Sequence, residues 1–163
     1  MARTELDRAV QPSLLDRLTD EQPDQAVDTT TTRDASERAF RVSVQRDVEF
    51  LLNTRRTMIM AGLEFPELRN SVHQYGLPDT SGLSFSDLDG RQQLTNSIAD
   101  TLRRFEPRLT NISVRLTDAN QVSAPQVRFS ISATLRMDPS PEQIVFDTVL
   151  EIASGEYDVA GGA

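Results

Sequence analysis

The chain contains no cysteine and no tryptophan, and His73 is its only histidine. Without cysteine, neither a disulfide framework nor a thiolate metal site can form, and one histidine cannot make a histidine cluster. We therefore expect no metal and no other cofactor. His73 is interpreted as an ordinary buried or loop residue.

Long apolar runs and an excess of positive charge are also missing. No stretch reaches the roughly 18 apolar residues of a membrane span, and the start shows no secretion signal, so we expect a cytoplasmic chain without membrane insertion. Arginine and lysine total 17 against 25 acidic residues, which gives a net charge of -8. This charge opposes nucleic-acid binding through phosphates and fits a basic protein partner better.

The residues that are present suffice for one domain. With 163 residues, of which 37% are hydrophobic, the chain can close a single core. The segment 19–37 is acidic and threonine-rich with few bulky apolar groups, so it is predicted to be a flexible linker. We therefore predict an N-terminal arm over residues 1–35 and a single domain over residues 36–160.

The arm carries a short apolar motif, PSLLDRL. Pro12 is suited to the first turn of a helix, and Leu14, Leu15 and Leu18 would share one face. A helix this short is marginal alone. Its leucines need a surface to cover, which is either the chain's own core or a partner.

Two longer helices are predicted from apolar residues at helical spacing. Asp34 and Glu37 have capping-box spacing ahead of the first helix, which should end near residue 54. Asp89 and Gln92 have the same spacing ahead of the second, predicted over 89–105. The apolar positions are Phe40, Val44, Val48 and Leu51 in the first, and Leu94, Ile98, Leu102 and Phe105 in the second. Between them we expect a loop with one helical turn at Pro66.

After Pro107 the apolar period changes to two, which indicates strands. The alternating positions are Ile112, Val114 and Leu116; Val127, Phe129, Ile131, Ala133, Leu135 and Met137; and Ile144, Phe146, Thr148, Leu150 and Ile152. Short connections favour antiparallel neighbours. The predicted fold is α+β, with two main helices on one face of a small, mainly antiparallel three-stranded sheet. An exposed edge of so small a sheet can accept a strand from another chain.

The junction between the second helix and the first strand reads Glu106, Pro107, Arg108. Pro107 ends the helix, and Arg108 suits the negative end of the helix dipole. Glu106 is misplaced there unless it pairs with an arginine, either Arg108 or one from another chain.

Five motifs in order resemble a known family. EPRL after a helix, RDVEFLLNTRR, YGLPD, PSLLDRL and LEIASGEY together resemble TssE, a baseplate wedge component of bacterial type VI secretion systems. That family is homologous to a small baseplate wedge protein of contractile-tailed phages. The resemblance covers residues 12 to 157 and leaves out the threonine-rich linker.

The resemblance implies a structural protein, not an enzyme. The domain would resemble the interlocking domain of the sheath subunit and would lie in a wedge with TssF and TssG, near TssK. It would present the first sheet edge on which TssB and TssC polymerise. Glu106, Pro107 and Arg108 match the family signature and are the expected partner-binding residues, together with Leu14, Leu15 and Leu18. Six wedges per baseplate and a cytoplasmic position in a membrane-docked baseplate are also implied.

The alternative function is a lysozyme-like glycoside hydrolase acting on peptidoglycan. Such an enzyme needs two carboxylates, and Glu106 with Asp87 or Asp89 could supply them. However, arginines near Glu106 favour the charged carboxylate, which is the opposite of what a general acid needs. The lack of tryptophan also leaves little to build a sugar-stacking cleft. DLDG at 87–90 lacks the further oxygen ligands of a calcium loop and is better interpreted as a helix cap.

Overall fold

The structure is a computed structural model that describes residues 9–19, 24, 32–59, 62, 64–80, 82–85, 87–117, 126–138 and 140–162. The helices are α1 (Leu14–Leu18), α2 (Arg33–Asn53), α3 (Pro66–Arg69) and α4 (Leu88–Phe105), with a 3₁₀ turn at Val72–Gln74. The strands are β1 (Leu109–Leu116), β2 (Gln126–Leu135), β3 (Glu142–Glu151) and β4 (Tyr157–Gly161). Most of the predicted linker lies outside the described residues, so its flexibility there stays a prediction. Residues 33–37 belong to α2, so that part of the linker prediction was wrong.

The sheet has four antiparallel strands in the order β1-β2-β3-β4. The expectation of three strands was therefore wrong by one. The missed strand, β4, has Tyr157 and Val159 as its only inward apolar residues, and two glycines follow them. That run is too short to show a period. The third strand was also extended too far, because Ile152 lies past the end of β3 and is exposed.

The α+β class is confirmed: α2 and α4 cover one face of the sheet. α4 packs against β1 and α2 packs against β4, so each long helix follows one edge strand. The apolar stripes and the inward strand residues form one core, whose most buried members include Val44, Leu94, Ile98, Leu102, Ile131, Leu135 and Phe146. Within the described residues, no helix combines the length and the apolar character needed to span a membrane.

Both long helices begin earlier than the predicted capping boxes. Thr32 caps α2 by accepting a hydrogen bond from the Ala35 N–H at 3.4 Å. Asp87 caps α4 by accepting from the Gly90 N–H at 2.8 Å. The cap interpretation of DLDG therefore holds, with Asp87 in place of Asp89.

Two glycines allow close backbone contacts that explain their motifs. A β-carbon at Gly90 would lie 1.9 Å from the carbonyl oxygen of Ser84, and one at Gly76 would lie 2.2 Å from that of Thr54. Gly76 also has a positive φ of 99°. It lets the YGLPD turn reach the end of α2, where the Leu77 N–H donates to the Thr54 carbonyl at 2.8 Å.

The predicted helical turn at Pro66 is confirmed as α3. In the loop before it, Met58 and Ile59 are exposed, at 86% and 73%. These two residues are therefore not part of the core.

Candidate functional site: the charged junction and the sheet edges

Glu106 and Arg108 form an ion pair within the chain. Glu106 ends α4 with its N–H donating to the Leu102 carbonyl at 2.9 Å, and only 4% of the residue is exposed. Arg108 donates from Nε to Oε1 at 2.6 Å and from NH2 to Oε2 at 2.5 Å. This two-point geometry is the strongest form of arginine–carboxylate pairing. Glu106 thus finds its arginine two residues away.

A second carboxylate on α2 also binds Arg108. The distance from Arg108 NH2 to Asp47 Oδ2 is 2.7 Å, and the guanidinium carbon lies 6.0 Å from the centre of the Phe40 ring. Burial alone would lower the pKa of Arg108, but hydrogen bonds with Glu106 and Asp47 outweigh it and raise the pKa. Burial, Asp47 and Glu106 raise the pKa of Tyr75 nearby. The junction is therefore a cluster of paired charges that joins α2, α4 and β1.

The ion pairs continue from Asp47 to the N-terminal arm. Arg46 contacts Asp47 Oδ1 at 3.0 Å and Asp16 Oδ1, on α1, at 2.6 Å. Burial alone would raise the pKa of Asp16, but hydrogen bonds from Ser13 and Arg46 bring it below its ordinary value. A continuous chain of charges thus links α1 to the junction. It consists of Asp16, Arg46, Asp47, Arg108 and Glu106.

The arm attaches through polar groups and leaves its leucines outside. Besides the Asp16 contact, the Val10 N–H donates to Ser36 Oγ at 2.9 Å. Leu14, Leu15 and Leu18 are 70%, 66% and 75% exposed. These leucines therefore do not cover the described part of the chain's own core, which was one of the two surfaces expected for them.

The outer edge of β4 is closed by side chains from α2. Along an antiparallel edge strand, the backbone N–H and C=O groups of one residue bond to the neighbouring strand, and those of the next residue point away from the sheet. The backbone groups of Tyr157 point outward: its N–H donates to Asn53 Oδ1 and its carbonyl accepts from Asn53 Nδ2, both at 2.8 Å. The outward Val159 carbonyl accepts from Gln45 at 2.7 Å. Asn53 therefore acts as a one-residue substitute for a further strand.

The outer edge of β1 is open along its second half. The Thr117 N–H donates to the Arg128 carbonyl at 3.0 Å, and the register then points the backbone groups of Val114 and Leu116 away from β2. No contact among the described residues satisfies those groups. The Ile112 carbonyl, two residues before Val114, accepts a hydrogen bond from Arg103 NH2 at 3.2 Å. The open edge thus begins where Arg103 stops covering it.

A bulge separates this open segment from the junction. The pairing of β1 with β2 shifts by one residue between Thr110 and Ser113, and Asn111 adopts a positive φ of 52°. Its side chain donates to Thr134 Oγ1 at 3.3 Å. Bulges end regular pairing and re-aim the strand, so Glu106 and Arg108 lie on one side of the bulge and the open edge lies on the other.

Two of the three carboxylates nominated for hydrolysis, Glu106 and Asp87, are held in structural contacts. Both oxygens of Glu106 accept from Arg108, and Asp87 accepts from the first turn of α4. Glu106 thus faces an arginine cation, which is unlike the apolar environment of a general acid.

Sequence reasoning missed the residues that complete the site: Asp47, Asn53, Gln45 and Arg103. Asp47 directly precedes the buried Val48 on α2, and an acid beside an apolar stripe is a signal that an arginine from elsewhere would reach it. Asn53 and Gln45 gave no signal, because their role depends on the undetected β4.

Comparison with known proteins assigns the chain to a family. The family model of baseplate wedge protein gp25 matches residues 38–140, more than half of the chain. No curated protein and no solved structure was found to match. The matched range includes most of α2, and all of α4, the Glu106 to Arg108 junction, β1 and β2. The chain therefore belongs to the baseplate wedge protein gp25 family, whose members are structural parts of phage-like baseplates.

Proposed function

We propose that this chain is the TssE-type wedge subunit of a type VI secretion baseplate, which starts sheath assembly by accepting a strand. In this proposal it binds TssF and TssG near TssK, and TssB and TssC polymerise from it in a membrane-docked, six-wedge baseplate. The observation that carries the proposal is the unequal treatment of the sheet edges. The β4 edge is closed by Asn53 and Gln45, whereas β1 is open at Val114 and Leu116.

The open edge has the chemistry that strand addition needs. Val114 and Leu116 offer two outward N–H groups and two outward carbonyls, and each hydrogen bond formed contributes about 1 kcal/mol net. Both side chains are only half-buried and pack against the core. An added strand would bury their remaining apolar surface at about 25 cal/mol per Å².

The exposed leucines of α1 are the proposed contact with TssF and TssG. Leu14, Leu15 and Leu18 form a compact apolar surface on a helix held to α2 by Asp16 and Arg46. The Glu106 to Arg108 junction anchors the other end of the same charge chain. In this view the junction contributes to partner binding by fixing the position of α1 and of the first strand.

The test must spare the junction, because Arg108→Glu would bring three carboxylates together and damage the fold. Val114→Pro is better suited, because it removes only an outward N–H and proline is tolerated on edge strands. The matched control is Val114→Ala, which loses the side-chain packing but keeps the N–H. Each variant replaces the wild-type chain in its own bacterium, with a fluorescent TssB subunit to report sheaths.

We expect Val114→Pro to abolish sheath assembly while TssF and TssG still co-purify with it, and Val114→Ala to retain both. Sheaths in Val114→Pro at the level of the alanine control would overturn strand addition. Failure of the wild-type chain to recover wedge subunits would overturn the secretion assignment itself.

A further inference from the structure

The open β1 edge carries an arginine at its centre, and we infer that this edge selects an extended segment of a different polypeptide with an apolar–acidic–apolar core. This inference rests on the strand addition proposed above and specifies its partner. Arg115 lies between Val114 and Leu116, and its register partner on β2 is the uncharged Ser130. Its side chain is exposed and has no ion-pair partner among the described residues.

Pleating fixes which residue of an added strand meets Arg115. The backbone groups of Val114 and Leu116 point outward, so those of Arg115 bond inward to β2. In an antiparallel addition, Arg115 and the partner residue opposite it would form a non-hydrogen-bonded pair, with β-carbons about 4.5–5.5 Å apart. An aspartate or glutamate at that position pairs favourably with Arg115, and a lysine or arginine is repelled.

The two flanking positions of the added strand face the core. Val114 and Leu116 are half-buried on the helix-covered face. Partner residues opposite them fall on the same face, because alternate residues of a strand share one side. Apolar side chains there extend the core, so the recognised segment reads apolar, acidic, apolar.

Arg103 limits how far the added strand can pair. Its NH2 group already occupies the Ile112 carbonyl at 3.2 Å, and its NH1 group is held by Asp100 at 2.9 Å. A partner strand loses a backbone acceptor at this position. Pairing therefore stops after Val114, which fixes the register of the segment.

A second copy of this chain is a poor occupant of the same edge. Antiparallel pairing of two β1 strands centred on residue 115 would place one Arg115 directly opposite the other, and like charges so placed are destabilising. A charge on an exposed edge is also a known defence against self-pairing. The arginine thus rejects a second copy and attracts an acidic segment.

The probes are two nine-residue peptides that differ at one position, with a central Val-Glu-Val or Val-Lys-Val flanked by threonine and serine. Each is titrated into the ¹⁵N-labelled full chain, and the backbone amides of Val114 and Leu116 are followed by NMR. The variants are Arg115→Glu and the control Arg136→Glu, which changes an exposed arginine just past the far end of β2, away from Arg115. Arg103→Ala is measured with the glutamate peptide.

We expect the glutamate peptide to bind about fivefold more tightly than the lysine peptide, as opposite and like cross-strand pairs differ. Arg115→Glu should reverse this preference and Arg136→Glu should preserve it. In Arg103→Ala, the perturbation should extend to Ile112. Equal affinity of both peptides at Val114 and Leu116 would overturn the charge selection and leave strand addition standing. If neither peptide perturbs these amides, both the inference and the open-edge proposal fail.

Discussion

At the scale of single residues, Glu106 shows how a charge at an unfavourable position is retained. The C-terminal end of α4 repels an acid, yet Glu106 is nearly fully buried there because Arg108 satisfies both of its oxygens. Arg108 is in turn shared with Asp47. Removal of one member leaves a buried charge without its partner, so the pair should be strongly coupled.

We predict that Arg108→Ala lowers the free energy of unfolding by about 3 kcal/mol, the cost of an orphaned buried carboxylate. Glu106→Gln should cost less, because the amide keeps one acceptor for Arg108. The double variant should be more stable than the sum of the single effects implies, with a coupling of about 1–3 kcal/mol. Urea unfolding followed by circular dichroism measures all three. Additive effects would show that the pair contributes nothing specific.

A second residue-scale prediction concerns two buried threonines. Thr148 is 1% exposed, and its hydroxyl has no hydrogen-bond partner in the part of the chain that the structure describes. We expect Thr148→Val to raise the free energy of unfolding by about 1 kcal/mol, because an unsatisfied polar group is replaced by an apolar one of equal shape. The matched control is Thr134→Val on β2. Thr134 Oγ1 accepts from Gln143 at 2.8 Å and from Asn111 at 3.3 Å, so this change should destabilise. Equal signs for the two variants would refute the argument.

At the scale of elements, the sequence predicts the helices and strands whose apolar residues repeat at a regular spacing. The apolar stripes ending in Leu51 and Phe105 predicted both long helices to within a few residues, and alternation predicted three of the four strands. The start of α2 was placed late because Thr32, its cap, ends a run of threonines that was interpreted as linker. Caps and edge contacts depend on which elements become neighbours, and local patterns carry no such information.

The sequence predicted the part of the site made by neighbouring residues, but not the part made by residues far apart in the chain. The Glu106 to Arg108 pair was one of two alternatives because the partners are neighbours in sequence. Asp47 and Asn53 join the junction and the β4 edge from far along the chain. The orientation of α1 was also open, because a five-residue helix has too few positions to show which face is buried.

The attachment of α1 should depend on pH. The pKa of Asp16 is lowered from 3.8 in the folded chain. The stabilisation of the α1 contact by the Asp16 carboxylate is therefore fully present above pH 3.8 and is lost as the pH falls through the lower folded pKa. Because the chain has no cysteine, a nitroxide on Leu15→Cys reports α1 alone. We expect an ordered label at neutral pH that becomes mobile only as the pH falls below 3.8 and through the lower folded pKa of Asp16.

Asp16→Asn should make the same label mobile at neutral pH, where the rest of the fold is intact. The control is Asp100→Asn, which removes an exposed carboxylate paired with Arg103 on α4. An ordered label in Asp16→Asn would mean that Asp16 and Arg46 do not hold the arm.

At the scale of the whole molecule, the sheet is asymmetric in how it meets other chains. Free edges promote uncontrolled pairing, and an assembly that grows in one direction needs a single receptive edge. The side chains of α2 close the β4 edge, and Arg115 makes the β1 edge selective. Net charge of -8 adds general repulsion between copies.

The closure of β4 gives the last prediction. Asn53→Leu removes both hydrogen bonds to Tyr157 and exposes a strand that pairs on one side only, so we expect concentration-dependent self-association in sedimentation velocity. Asn53→Asp keeps an acceptor for the Tyr157 N–H but loses the donor to its carbonyl, and should fall between. Asn96→Leu is the matched control, because it makes the same change on the exposed surface of α4. If Asn53→Leu associates no more than this control, the amide of Asn53 does not protect the edge. Association confined to the Asn53 variants would show that this one side chain keeps the β4 edge closed and leaves β1 as the receptive edge.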